Sequence, residues 1–299
     1  MIYDVRQMTA YTYGSPVSYA RHVLRLTPID RPRQRVHVAA LDILPAPIRR
    51  REGFDFFGNR LTWIELNQPH EKLAVHVMAR VAVDHREGGD TLASPAWEFV
   101  RDEIFSIADI GPAAPGHFLF PSRQVSLDPD IRDYARASFT PGRPILEAAV
   151  ELGRRFKADF VYEIGATDAS TLPSMSFALR RGVCQDFAHI MISGLRGLGL
   201  PAAYVSGYLR TSYGPERPRL EGSDAMHAWV NVWCGTEIGW LGLDPTNAVA
   251  AGNDHIVLAI GRDYADVAPI LGRTTSRCLG ERDPVLMRPG SRRRSKAAR

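Results

Sequence analysis

Hydrophobic residues change period twice along this chain, and that succession restricts it to an α+β fold. Up to about residue 85, short β-branched or aromatic stretches alternate apolar with polar: Tyr11-Thr12-Tyr13, His22 to Leu26, Val36-His37-Val38, Leu61 to Leu66 and Leu73 to Val77. Gly14-Ser15-Pro16, Pro45-Ala46-Pro47 and Phe57-Gly58-Asn59-Arg60 separate them as turns. The period then becomes helical. Between Ile145 and Phe160, Ala148, Leu152 and Phe156 share a face opposite Arg154, Arg155 and Lys157, and a second helix follows from Phe187 through Ile190, Met191, Leu195 and Leu198. Shorter helices are expected over residues 95–105 and 131–137. Alternation returns with strands expected over 203–210, 225–233, 240–244 and 256–261. Strands, then helices, then an antiparallel sheet is an α+β order. It predicts a β-rich module over 1–90, a core with a helical lead-in over 91–285, and a basic tail over 286–299.

Charge excludes one class of function. The net charge of +4 belongs to the tail, where Arg288, Arg292, Arg293, Arg294, Lys296 and Arg299 stand without acids; the rest carries 31 basic against 33 acidic residues. A near-neutral body argues against specific nucleic-acid binding. No apolar run reaches the ~18 residues of a membrane span. The start, Met1-Ile2-Tyr3-Asp4-Val5-Arg6, lacks the basic-then-apolar pattern of a signal peptide, so the expected location is the cytoplasm. Cys184, Cys234 and Cys278 are neither a disulfide framework nor a zinc cluster, and reduced thiols are expected.

Cys184 stands where a nucleophile is activated. In Arg181-Gly182-Val183-Cys184-Gln185-Asp186-Phe187-Ala188-His189, Gly182 permits a sharp turn and Cys184 falls at the start of the apolar helix. Free N–H groups and the positive dipole end favour a thiolate there, and thiolate is the attacking species. A cysteine acyl-transfer enzyme also needs a base, and a third group to orient that base. His227 opens the strand His227-Ala228-Trp229-Val230-Asn231-Val232-Trp233, and Asp244 closes Trp240-Leu241-Gly242-Leu243-Asp244 ahead of Pro245. If Trp233 faces Ile238 across Cys234-Gly235-Thr236-Glu237, His227 lies directly opposite Asp244, with Cβ atoms about 4.5–5.5 Å apart. A one-residue slip would turn Asp244 to the other face.

Taken singly, each of these residues is ordinary: a small buried thiol, a core histidine, a turn aspartate. Their combination carries the reading. His189 lies roughly 140° around the helix from Cys184, which suits a structural hydrogen bond better than base catalysis. Asp186 is expected to complement the helix dipole. Trp229 and Trp240 are candidates for flanking a cleft or for packing. Cys184, His189 and His227 could chemically hold zinc but lack close-spaced ligand pairs.

Gly182 to His189, Leu195 to Ala202 with Tyr204-Val205-Ser206-Gly207-Tyr208, Ala225 to Val230, and Gly239-Trp240 through Leu243-Asp244-Pro245-Thr246-Asn247 resemble, in order, the core of bacterial transglutaminase-like proteins. Upstream, Tyr11-Thr12-Tyr13, Pro16-Val17 and Leu24-Arg25-Leu26-Thr27-Pro28 resemble the β-rich region that accompanies this core. The resemblance implies a papain-like core, with the cysteine helix packed on an antiparallel sheet. It implies Cys184 as nucleophile, His227 as general base then acid, Asp244 as orienter, and neither cofactor nor metal. The implied partner is a protein or peptide amide, with a primary amine as co-substrate where the acyl group is transferred rather than hydrolysed. The reading from another class is an interaction module that kept the fold without catalysis.

Overall fold

The computed structural model describes residues 1–84, 94–210, 220–222, 226–275 and 285–286. Two units emerge, one comprising Met1–Asp84, Ile256–Ala259 and the chain from Ala268, the other His85–His255 and Ile260–Val267.

The first unit holds six consecutive strands: β1 (Ile2–Val17), β2 (Tyr19–Leu24), β3 (Gln34–Leu44), β4 (Arg49–Phe54), β5 (Arg60–Leu66) and β6 (His70–Val83). A three-stranded antiparallel sheet runs β1-β6-β3. Alternation has its usual cause: Leu73, Val75, Val77, Ala79, Val81 and Val83 of β6 are buried, while intervening positions remain accessible. The strands are longer than the apolar triplets predicted, because backbone pairing carries polar positions such as Asp4 opposite Arg80. Arg49–Phe54, which has no apolar alternation, is a strand through its pairing with β5.

The second unit contains α1 (Trp97–Glu103), α2 (Pro129–Arg136), α3 (Ile145–Asp159), β7 (Val161–Tyr162), α4 (Pro173–Leu179), β8 (Arg181–Gly182), α5 (Cys184–Gly197), β9 (Ala202–Leu209), β10 (Met226–Trp233), β11 (Trp240–Asp244) and β12 (Val249–Ala250). β13 (His255–Gly261) and α6 (Tyr264–Val267) follow. The strand order is β12-β11-β10-β9-β13. α5 is buried along almost its whole length and packs on β10, β9 and α2. Its glycines permit the close approach: a Cβ on Gly194 would meet the Ala135 Cβ at 2.8 Å.

The expected core span of 91–285 differs from the structure at its end. β14 (Ile270–Thr275) pairs antiparallel with β2, and β15 (Val285–Leu286) pairs with β14, completing the sheet β15-β14-β2-β5-β4 of the first unit. β2 would otherwise be an open edge, which the returning chain covers. Cys278, the tail beyond residue 286 and most of the Pro/Gly-containing stretch 211–223, expected from the sequence to connect two strands, lie outside the described residues.

Candidate active site

Cys184 is held by its approach to α5. β8 runs parallel to β7 and ends at Gly182, where a Cβ would lie 2.6 Å from Asp186 Oδ2, so only glycine fits. Val183 is extended and Cys184 is the first helical residue. The Asp186 carboxylate accepts from the Val183 N–H at 2.8 Å and from Thr167 Oγ1 at 2.6 Å, tying the helix start to the preceding loop. Burial pushes the Asp186 carboxyl upward despite those bonds. Cys184 is half-buried, whereas Cys234 is buried with its thiol pushed up to about 12 by desolvation.

The β10–β11 hairpin corrects the expected register. Trp233 faces Trp240, not Ile238, and Val230 faces Leu243. The connection runs from Cys234 to Gly239, closed by Cys234 N–H donating to Gly239 O at 2.9 Å, with Gly235 and Gly239 at positive φ. Ile238 is spent in that turn rather than in the strand. Continued, this register sets Asp244 opposite Trp229, diagonal to His227. The shift is two residues, so Asp244 keeps the face of His227. The side chains bridge the diagonal: His227 Nε2 donates to Asp244 Oδ2 at 2.9 Å, both side chains fully buried.

Asp244 collects further donors. Its Oδ1 accepts from the N–H groups of Thr246 at 3.0 Å and Asn247 at 3.2 Å, and its Oδ2 from Asn247 Nδ2 at 2.7 Å. His255 Nε2 reaches the same oxygen at 3.3 Å. Gly252 N–H donates to His255 Nδ1 at 3.2 Å, so that nitrogen is an acceptor and Nε2 carries the hydrogen aimed at Asp244. Burial would raise the Asp244 carboxyl, but His227 and then His255 hold it well below the ordinary carboxylate range. Burial likewise disfavours a charged His227, yet Asp244 and then Cys184 outweigh it and hold the ring up at about 10. The nitrogen Asp244 leaves free is Nδ1, buried within the site, and the Cys184 side chain acts on the same ring both as a charge and as a hydrogen-bond partner.

The other sequence candidates occupy supporting places. His189 Nε2 accepts from the Tyr264 N–H at 3.1 Å, and burial lowers its ring to about 4, leaving a neutral structural acceptor. Trp229 packs edge-on against His255 at 5.1 Å, and Trp240 donates from Nε1 to Ala113 O at 2.9 Å while packing on Trp233. Sequence reasoning missed His255 entirely, since no spacing links it to Asp244. The role of Asn247 was also missed, although an asparagine three residues past an aspartate is the spacing of a local turn bond.

Two separate stretches of the chain match known families. Residues 3–82 match the bacterial transglutaminase-like N-terminal region, and residues 132–245 match the transglutaminase-like superfamily. An uncharacterized protein of Mycobacterium tuberculosis is 38% identical over 278 residues, covering 90% of this chain and 86% of its own. A Pseudomonas aeruginosa protein-glutamine gamma-glutamyltransferase is 40% identical over 87 residues, 28% of this chain and 13% of its own. A Cytophaga hutchinsonii structure described as a candidate cysteine protease superposes with a TM-score of 0.69 at 21% identity, covering 91% of this chain and 88% of that one, which shows the shared fold.

Proposed function

Because this chain belongs to the bacterial transglutaminase-like superfamily, we propose that it is a cysteine-dependent acyl-transfer enzyme acting in the cytoplasm on protein or peptide amides. The observation that carries the reading is the buried His227–Asp244 pair at 2.9 Å, whose imidazole is held charged by Asp244 and by Cys184 at the start of α5. Asp244 takes Nε2, so Nδ1 is the nitrogen that exchanges protons with the reacting groups.

In the first step the Cys184 thiolate attacks the amide carbonyl and a carbon–sulfur bond forms. The carbon–nitrogen bond then breaks as His227 Nδ1 gives its proton to the departing amine, leaving a thioester. In the second step water or a primary amine attacks the thioester, His227 takes its proton, and the thiolate leaves. The Cys184 N–H belongs to the first turn of α5, where backbone donors lack intrahelical acceptors, and it serves as an oxyanion donor worth several kcal/mol, about 3. Hydrolysis and transamidation stand nearly level, with hydrolysis slightly ahead because water needs no second binding site; on a glutamine side chain the same hydrolysis is deamidation.

Iodoacetamide labelling across pH tests the nucleophile. Selective modification of Cys184 near neutral pH, slowed in His227→Ala, is expected; equal, slow labelling of Cys184, Cys234 and Cys278 would overturn the reading. Incorporation of a labelled amine into casein, set against cleavage of peptides, then separates transfer from hydrolysis.

A further inference from the structure

Asn247 joins two parts of the site. Its Nδ2 donates to Asp244 Oδ2 at 2.7 Å and to Glu221 O at 3.2 Å, while its Oδ1 accepts the Glu221 N–H at 2.8 Å. Its own N–H donates to Asp244 Oδ1 at 3.2 Å. The amide orientation is therefore determined: reversed, its oxygen would face two oxygens and its nitrogen an N–H. Glu221 leads to Gly222, at φ +82, where an ideal Cβ would stand 2.6 Å from His227 Nδ1 and 3.2 Å from Cε1. The backbone that Asn247 holds thus lies against the imidazole nitrogen that Asp244 does not engage. Lys157 also reaches Glu221 Oε1 at 2.8 Å, but that pair is exposed and contributes little.

We propose that Asn247 is a positioning residue: one amide aims Asp244 Oδ2 at His227 Nε2 and clips Glu221–Gly222 against the Nδ1 side, so the imidazole is gripped from both sides. The inference rests on the reading of Cys184 as nucleophile. Asn247→Ala removes both grips, and Asn247→Asp keeps the shape but sets a carboxylate beside Asp244. Two carboxylates sharing a site raise the proton affinity of one, and a protonated Asp at 247 regains a donor toward Oδ2. The charged or titratable groups around that point are Asp244, His227 and His255, with the Lys157–Glu221 pair at the rim.

The test combines two readouts on the full chain. Alkylation of Cys184 by iodoacetamide is followed from about pH 8 to about pH 5, and amide hydrogen exchange is followed at Glu221 and Gly222. Both variants are expected to slow alkylation about tenfold, the loss of one hydrogen bond to a charged acceptor. Asn247→Asp is expected to recover relative to the wild type as pH falls, and exchange at Glu221 and Gly222 to quicken in Asn247→Ala. Wild-type alkylation in both variants, a pH-independent ratio for Asn247→Asp, or unchanged exchange in Asn247→Ala would each overturn the proposal. Unselective labelling of the wild type would instead defeat the nucleophile reading, while exchange still decides whether Asn247 holds Glu221–Gly222. Should Asn247→Ala not fold, Asn247→Asp carries both readouts, since it loses the Nδ2 bond to Glu221 O and exchange at Glu221 and Gly222 is expected to quicken there too, unchanged exchange overturning the proposal.

Discussion

His227 in the core unit and His22 in the β-rich unit are equally buried, at 1% and 2% exposure, yet their rings are driven in opposite directions. Burial lowers His22 to about 4, helped by neighbouring His70, and neither ring nitrogen of His22 has a hydrogen-bond partner among the described residues. His227 is held up at about 10. The difference is not the unit in which each sits, because His189, in the same unit as His227, is also lowered to about 4. Desolvation discharges a buried imidazole; only a carboxylate in contact reverses that, and only if the carboxylate is itself kept ionised. The donors converging on Asp244 meet that second condition.

The sharpest way to break this contrast is Asp244→Asn, which should convert His227 into a histidine of the His22 kind. Its ring pKa should fall below the ordinary 6.5, followed by NMR, and Cys184 alkylation near neutral pH should slow about tenfold or more, toward that of an ordinary thiol, because the charged imidazole that favours the thiolate is lost. In the wild type, a ring raised to about 10 gives stability that is complete below pH 6.5 and lost as pH rises through about 10. The thermal midpoint should therefore fall on that alkaline limb, and Asp244→Asn should abolish the fall.

His22 predicts the reverse at acid pH. The unfolded chain binds a proton below 6.5 that the folded ring refuses until about 4, so stability is lost as pH falls through that interval. The loss should approach about 3 kcal/mol, read by denaturant unfolding at successive pH values, and His22→Phe should flatten it. Gly222→Ala should have the smallest effect on stability, about 1–2 kcal/mol for an alanine at positive φ. It should nevertheless slow Cys184 alkylation about tenfold, because its Cβ would displace the His227 ring on which a transition-state contact depends. An unaltered alkylation rate would show that the Gly222 backbone does not bear on the imidazole.

Legibility in the sequence followed the range of the interaction. α5 could be read because its signals are local: Gly182, the apolar spacing from Phe187, and Asp186 in the first turn. Ile145–Asp159 was legible for the same reason. The β-rich unit was recognisable, but its strand ends were not, since pairing partners rather than side-chain preference extend Ile2–Val17. β14 was assigned to the core because nothing in Ile270–Thr275 announces the edge of β2, more than two hundred residues away in sequence.

The candidate site divides in the same way. The assumed register, Trp233 opposite Ile238, placed His227 and Asp244 on a common face, and the observed register differs from it by two residues, an even shift that preserves the side-chain direction. Whether they meet directly or diagonally depended on how Cys234 to Gly239 turns, which is settled by Gly235, Gly239 and the closing bond between Cys234 and Gly239. His255 and Asn247 could be found only in three dimensions. A buried carboxylate recruits whatever donors the folded chain brings within reach, and that convergence leaves no period or spacing in the sequence. The residue types that the proposed acyl transfer would use were present in linear order; the ionised state of Asp244, and with it the charge on His227, came from tertiary packing.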